Sequence, residues 1–175
     1  MKAQKNYFMV IAVALFLVFS PFMGTVYSAD TIKVGFVAPL TGSFADDGSE
    51  MLRGVTMMVD ERNARGGILG KKLEIIKGDI GDFSAEKIVS VGEKLVHRDK
   101  VDCLITQYLG GVVDVKTYGE FDVPYLNMDT AQSESDLIRE NLEKYSNVFQ
   151  TCPPESKYAP GIFDFIDRVF PAATG

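Results

Sequence analysis

Four times along this chain a short β-branched run gives way to a stretch of helical periodicity, and that alternation restricts the fold more than any other feature. Ile32–Ala38 becomes apolar on both faces toward its end, the pattern of a parallel strand covered on both sides. Over 48–64, Met51, Leu52, Val55, Met58 and Val59 recur at spacings of three and four, which predicts a helix. Gly66-Gly67 should stop it, because glycine readily takes the left-handed cap conformation. A second strand is expected over 72–77, then a loop over 78–83. Ser84 is placed to cap a helix running to about residue 98. A third strand over 101–106 leads into a short helix opened by Gly110-Gly111, and a fourth covers 123–127. A helix over 133–142, an extended piece over 148–151 and a last helix over 156–170 complete the pattern. Strands and helices in this order join by right-handed crossovers, so the expected fold is α/β with a doubly wound parallel sheet.

The segment before this pattern is of another kind. Lys2 and Lys5 precede an apolar run over 7–19, Ser20-Pro21 breaks it, and Ser28 and Ala29 follow. A basic start, a short apolar run and small residues describe a secretory signal, and cleavage after Ser28 sets its limits at 1–28. The run is short against the roughly 20 residues of a spanning helix. The mature protein is therefore expected to be exported, periplasmic or otherwise, and soluble. Losing two lysines leaves sixteen bases against twenty-four acids. Such a surface, without a basic stripe, does not suit a nucleic acid. Export permits disulfides. However, Cys103 lies in an apolar run and Cys152 precedes Pro153-Pro154, so buried free thiols are expected rather than a bridge.

Ligands of open α/β sheets sit beyond the C-terminal ends of the strands. Loops 39–48, 107–112 and 128–133 leave those ends. Gly110-Gly111 precedes a helix, so its N–H groups could hold a carboxylate, or it is a plain tight turn; the spacing admits both. Asp46-Asp47 and Asp79 with Asp82 could take a cation or a ligand amine, or be solvated and capping. Tyr108 follows a strand end, where a ring can stack on a ligand, whereas the other Phe and Met residues read as core. Enzyme motifs are missing: no G-x-G-x-x-G after the first strand, no phosphate loop and no G-x-S-x-G elbow. His97, the only histidine, falls late in a helix and reads as an exposed residue favoured by the dipole. One His and two separated Cys make no zinc set. The expectation is thus a binding protein, not an enzyme, with no catalytic residue, cofactor or metal.

Three segments together carry a resemblance. They are Ile32-Lys33-Val34-Gly35 through Pro39-Leu40-Thr41-Gly42, then Asn63-Ala64-Arg65-Gly66-Gly67-Ile68-Leu69-Gly70-Lys71-Lys72-Leu73-Glu74, and Val148-Phe149-Gln150-Thr151-Cys152-Pro153. With them the chain resembles, over roughly 31–170, the type I periplasmic binding proteins of the branched-chain (leucine/isoleucine/valine) amino acid group. The resemblance implies two α/β lobes that trap a ligand between them. Residues 29–150 would form the first lobe in part, and 151–175 would supply a hinge crossing and the first helix of the second, cut short. It also implies an exported component of an ABC importer that captures an amino acid or related small polar solute and delivers it to a membrane permease. A sensor ectodomain of the same fold is the alternative.

The first-lobe residues expected to meet the ligand are Asp47, Tyr108, Gly110, Asp129 and Thr130. The sequence departs from that pattern at several places. Asp47 stands where an aromatic is usual, Gly110 where a Ser is usual, and 129–131 replaces a small-residue run containing Thr. These departures point to a ligand with a cationic or hydroxyl-bearing part, or one with no carboxylate. A half-built first lobe would leave a face uncovered, which predicts poor solubility for 29–175 alone.

Overall fold

The computed structural model describes residues 31–109 and 111–170, so the expected signal peptide (1–28) and Gly110 lie outside the described residues. Five strands form one sheet: β1 (Ile32–Ala38), β2 (Leu73–Asp79), β3 (Cys103–Thr106), β4 (Tyr125–Asn127) and β5 (Val148–Gln150). All neighbours are parallel, in the order β2-β1-β3-β4-β5. The connecting helices are α1 (Ala45–Ala64), α2 (Ala85–Glu93), α3 (Val113–Tyr118), α4 (Gln132–Glu140) and α5 (Tyr158–Val169). A π-helical turn, Lys94–Arg98, prolongs α2. The doubly wound α/β sheet expected from the alternation is the sheet observed.

β1 is central, paired on both edges, with Val34 opposite Ile75 and Cys103 and Phe36 opposite Lys77 and Ile105, and its last five residues are buried. On one face Val37, Leu104 and Tyr125 join Ile88 and Leu95 of the α2 region and Val115 and Tyr118 of α3 in a buried core. Gly78 lets α2 come close, since a Cβ there would stand 2.5 Å from the Val91 side chain. Tyr118 is fully buried and its phenol donates to the Ile88 carbonyl at 2.7 Å, so no polar atom of that ring is stranded.

The other face is only partly covered. α1 lies over it, with Met51, Val55 and Val59 half-buried and Met58 63% exposed. Between α1 and the strands runs an apolar cavity of about 700 Å³, lined among others by Val34, Val55, Ile105, Leu126 and Met128. α5 buries none of its residues, and Ile162, Phe163, Phe165 and Val169 are exposed on it. No helix among the described residues is long and apolar enough to cross a membrane.

Several boundaries move from their expected places for identifiable reasons. α1 begins at Ala45, not 48, with Asp46 and Asp47 in its first turn, where the helix dipole favours acids. Gly48 is thus inside the helix and serves close approach, because a Cβ there would stand 2.0 Å from the Pro39 carbonyl oxygen. The third and fourth strands start two residues late, at Cys103 and Tyr125. Pro124 has no N–H to give the ladder, although its carbonyl still accepts from Leu104 at 2.9 Å. Gly66 and Gly67 stop α1 with φ of 101° and 80°. Ser84 holds the N-cap position of α2 without its hydroxyl capping the helix; its own N–H donates to Asp82 at 3.0 Å. Cys103 and Cys152 are both free thiols.

Candidate functional site

The strand order reverses between β1, which leads out to β2, and β3, which leads the other way to β4 and β5. This is the topological switch point, where doubly wound sheets open a crevice at their C-terminal edge. The loops on either side of it meet. Tyr108, the second residue after β3, donates its phenolic O–H to Asp47 of the first turn of α1 at 2.7 Å. These two residues, both expected at the site, are thereby joined across 61 positions of sequence. The bond to Asp47 raises the Tyr108 pKa above its ordinary value, so the phenol stays protonated.

Tyr108 also belongs to a ridge of rings that sequence reasoning missed. It stacks on Phe83 at 5.9 Å between centroids, and Phe83 meets Phe44 edge-on at 4.8 Å. The three rings come from the loops after β1, β2 and β3. Phe44 is 44% and Tyr108 39% exposed. The expectation that the Phe residues are core fails at Phe44, which is exposed, and holds in part at Phe83, which is half-buried against the core. The available signal was position, since Phe44 and Phe83 each fall a few residues past a strand end.

Asp79, at the end of β2, is exposed, yet its carboxylate is held by the protein. Its carboxylate accepts from the Leu40 and Thr41 N–H groups at 2.8 and 3.2 Å, the Gly81 N–H at 2.8 Å and the Thr41 hydroxyl at 2.8 Å. Partial burial works against the charge, but these bonds outweigh it and hold the group below the usual carboxylate range. The first loop is thus pinned to the second strand.

Asp129 is 5% exposed, just past β4. Its carboxylate accepts from three backbone N–H groups: Leu109 at 3.1 Å, Thr130 at 2.6 Å and Ala131 at 2.9 Å. It ties the loop after β3 to the start of α4. Thr130 is half-buried, and its carbonyl accepts from the Glu155 N–H at 2.7 Å, which holds the segment after β5 against the same turn. Gly111 has a φ of 146°.

Behind Asp129 lies a group of buried acids that the sequence did not announce. Asn127 donates to Glu134 at 2.7 Å and to Asp114 at 3.3 Å, and Tyr125 also donates to Asp114. Burial pushes Asp114 up to about 6, against the bond from Tyr125. Burial, then repulsion from Asp114 and Asp129, pushes Glu134 up to about 9, so it is protonated at neutral pH and hydrogen-bonded to Asp129. Asp114 Oδ1, Glu134 Oε1 and Gln107 Oε1 are buried without a partner. Among the described residues no grouping of His, Cys, Asp and Glu is disposed to hold a metal ion. His97 is exposed, with its ring edge-on to Phe121.

Comparison with known proteins agrees with this architecture. The Leu/Ile/Val-binding protein homolog 7 of Brucella abortus (strain 2308) is 28% identical over 143 residues, 81% of this chain and 34% of that protein. A crystal structure from Silicibacter pomeroyi, described as a branched-chain amino acid ABC transporter, superposes with a TM-score of 0.76. It is 30% identical and is matched over 82% of this chain and 37% of its own. The branched-chain amino acid transporter substrate-binding protein LivJ of Streptococcus pneumoniae, in complex with isoleucine, gives a TM-score of 0.61. It is 27% identical over 72% of this chain and 35% of its own. The chain spans about a third of the length of these relatives. A family profile described as periplasmic binding protein matches residues 31–169, nearly everything after the N-terminal segment, and the chain belongs to that family.

Proposed function

We propose that the protein is the exported solute-binding component of an ABC importer. It captures an amino acid or related small polar solute between two lobes and delivers it to a membrane permease. Residues 29–150 belong to the first lobe, the segment from Thr151 is the first crossing, and α5 opens the second lobe. The role is binding without bond making: lobe closure and buried hydrogen bonds supply the energy.

The observation that supports this reading most is the Asp47–Tyr108 bond at the switch point of the sheet, with the exposed ring of Tyr108 beside it. Gly110, Asp129 and Thr130 complete the proposed first-lobe site, with Asp129 shaping its floor through the bonds it accepts. The relatives' names support the solute class, isoleucine being the ligand of one of them.

A thermal-shift screen of the protein at its native length tests the proposal, using amino acids, amides, polyamines, aromatic acids and sugars. A solute that binds only the folded state raises the midpoint by mass action, by about 2.7 kcal/mol of stability at a hundredfold excess over Kd. Silence across the panel would count against solute capture.

A further inference from the structure

Resting on the proposed solute-binding role, we infer that the first-lobe edge selects a small organic cation, an alkyl- or quaternary ammonium, and rejects a carboxylate. An anionic ligand at the C-terminal edge of a parallel sheet is held by free N–H groups there. Among the described residues the protein's own carboxylates already occupy seven of them. Asp79 takes Leu40, Thr41 and Gly81, Asp82 takes Ser84, and Asp129 takes Leu109, Thr130 and Ala131. A ligand carboxylate arriving at this edge would meet three carboxylates in place of donors.

No side chain offsets this. The segments 39–44, 80–84, 107–112, 128–131 and 151–154, which follow the five strands, contain no Lys, Arg or His. Gln107, the first residue after β3, carries a buried acceptor oxygen with no partner, at 4% exposure.

What the edge does present is a ridge of rings beside a carboxylate. Phe44, Phe83 and Tyr108 adjoin one another, and Asp47 lies against the last of them. Ring faces and a nearby carboxylate together recognise an ammonium group, through the ring quadrupole and through charge. By donating its O–H to Asp47 and stacking on Phe83, Tyr108 is fixed in place, and the face turned away from Phe83 is left as the surface a ligand meets. The same geometry gives a ligand carboxylate no comparable attraction.

Titration calorimetry on the protein at its native length tests this with choline, putrescine, leucine and 3,3-dimethyl-1-butanol, the uncharged isostere of choline. Binding of choline or putrescine at least about tenfold tighter than the isostere and leucine is expected. Tyr108→Ala should weaken the amine about tenfold or more, Tyr108→Phe distinctly less, and Asp47→Asn should weaken the amine while leaving the isostere unchanged. Tight binding of leucine with no binding of either amine would overturn the cation assignment and leave solute capture standing. Amine binding that ignores Tyr108→Ala and Asp47→Asn would overturn the assignment to this edge. If none of the four probes binds, the cation assignment fails, and the wider screen above decides separately whether solute capture fails with it.

Discussion

Asp129→Ala removes the acceptor of three backbone N–H groups at once. The bond from Leu109 is buried, so that N–H would be stranded at a cost of about 1–3 kcal/mol. Those from Thr130 and Ala131 are part-buried and can turn to water, losing about 0.5–1.5 kcal/mol each. Against this, the substitution relieves repulsion with Asp114, a gain of about 1 kcal/mol for charges in a partly screened interior. The lost bonds win, and a net destabilisation of about 1–5 kcal/mol is expected. Asp129→Asn keeps one acceptor oxygen and should cost roughly half as much. Ser133→Ala, at an exposed neighbouring position, serves as control and should stay within about 0.5 kcal/mol of the parent. Urea unfolding of the native-length protein followed by circular dichroism measures all three. An Asp129→Ala protein as stable as the control would refute the reasoning, because its carboxylate would then not be holding the two loops together.

Glu134 has a folded pKa of about 9 against an ordinary value of 4.5, so the folded state holds its proton where the unfolded state has lost it. Its contribution is complete below about pH 4.5 and is lost as pH rises through 9, with a slope of at most about 1.4 kcal/mol per pH unit. Asp114 adds a loss of the same sign between 3.8 and about 6. Urea midpoints should therefore fall between pH 6 and pH 9 and stay level there in Glu134→Gln; equal slopes in the two proteins would dismiss the buried acid. Residues 29–175 expressed alone should self-associate and bind an apolar dye, given the uncovered cavity and the exposed Phe149, Phe163 and Phe165. A dye-silent monomer in analytical ultracentrifugation would contradict this.

Much of the architecture was legible because it is local. The doubly apolar run of β1, the three-and-four spacing in α1 and the paired glycines after it each report a backbone state within a few residues. Strand–helix alternation then leaves few ways to arrange the sheet, and Tyr108 could be placed at its edge by counting past β3. The partners of the loop side chains were decided only by tertiary structure. Asp47 and Tyr108 are 61 residues apart, Leu109 and Asp129 are 20 apart, and Leu40 and Asp79 are 39 apart. In sequence each of these acids looks like any solvated loop residue, because composition carries no record of which N–H groups the crossovers bring alongside. Phe44 is exposed against the core expectation for the same reason, since hydrophobicity records the tendency to leave water but not the neighbour that is found. The carboxyl groups of Asp114 and Glu134 come from two helices, and folding brings both to Asn127, with Asp129 nearby, to produce an acid that keeps its proton at neutral pH. Periodicity determines which face a residue turns; which groups then meet there follows from how the faces pack.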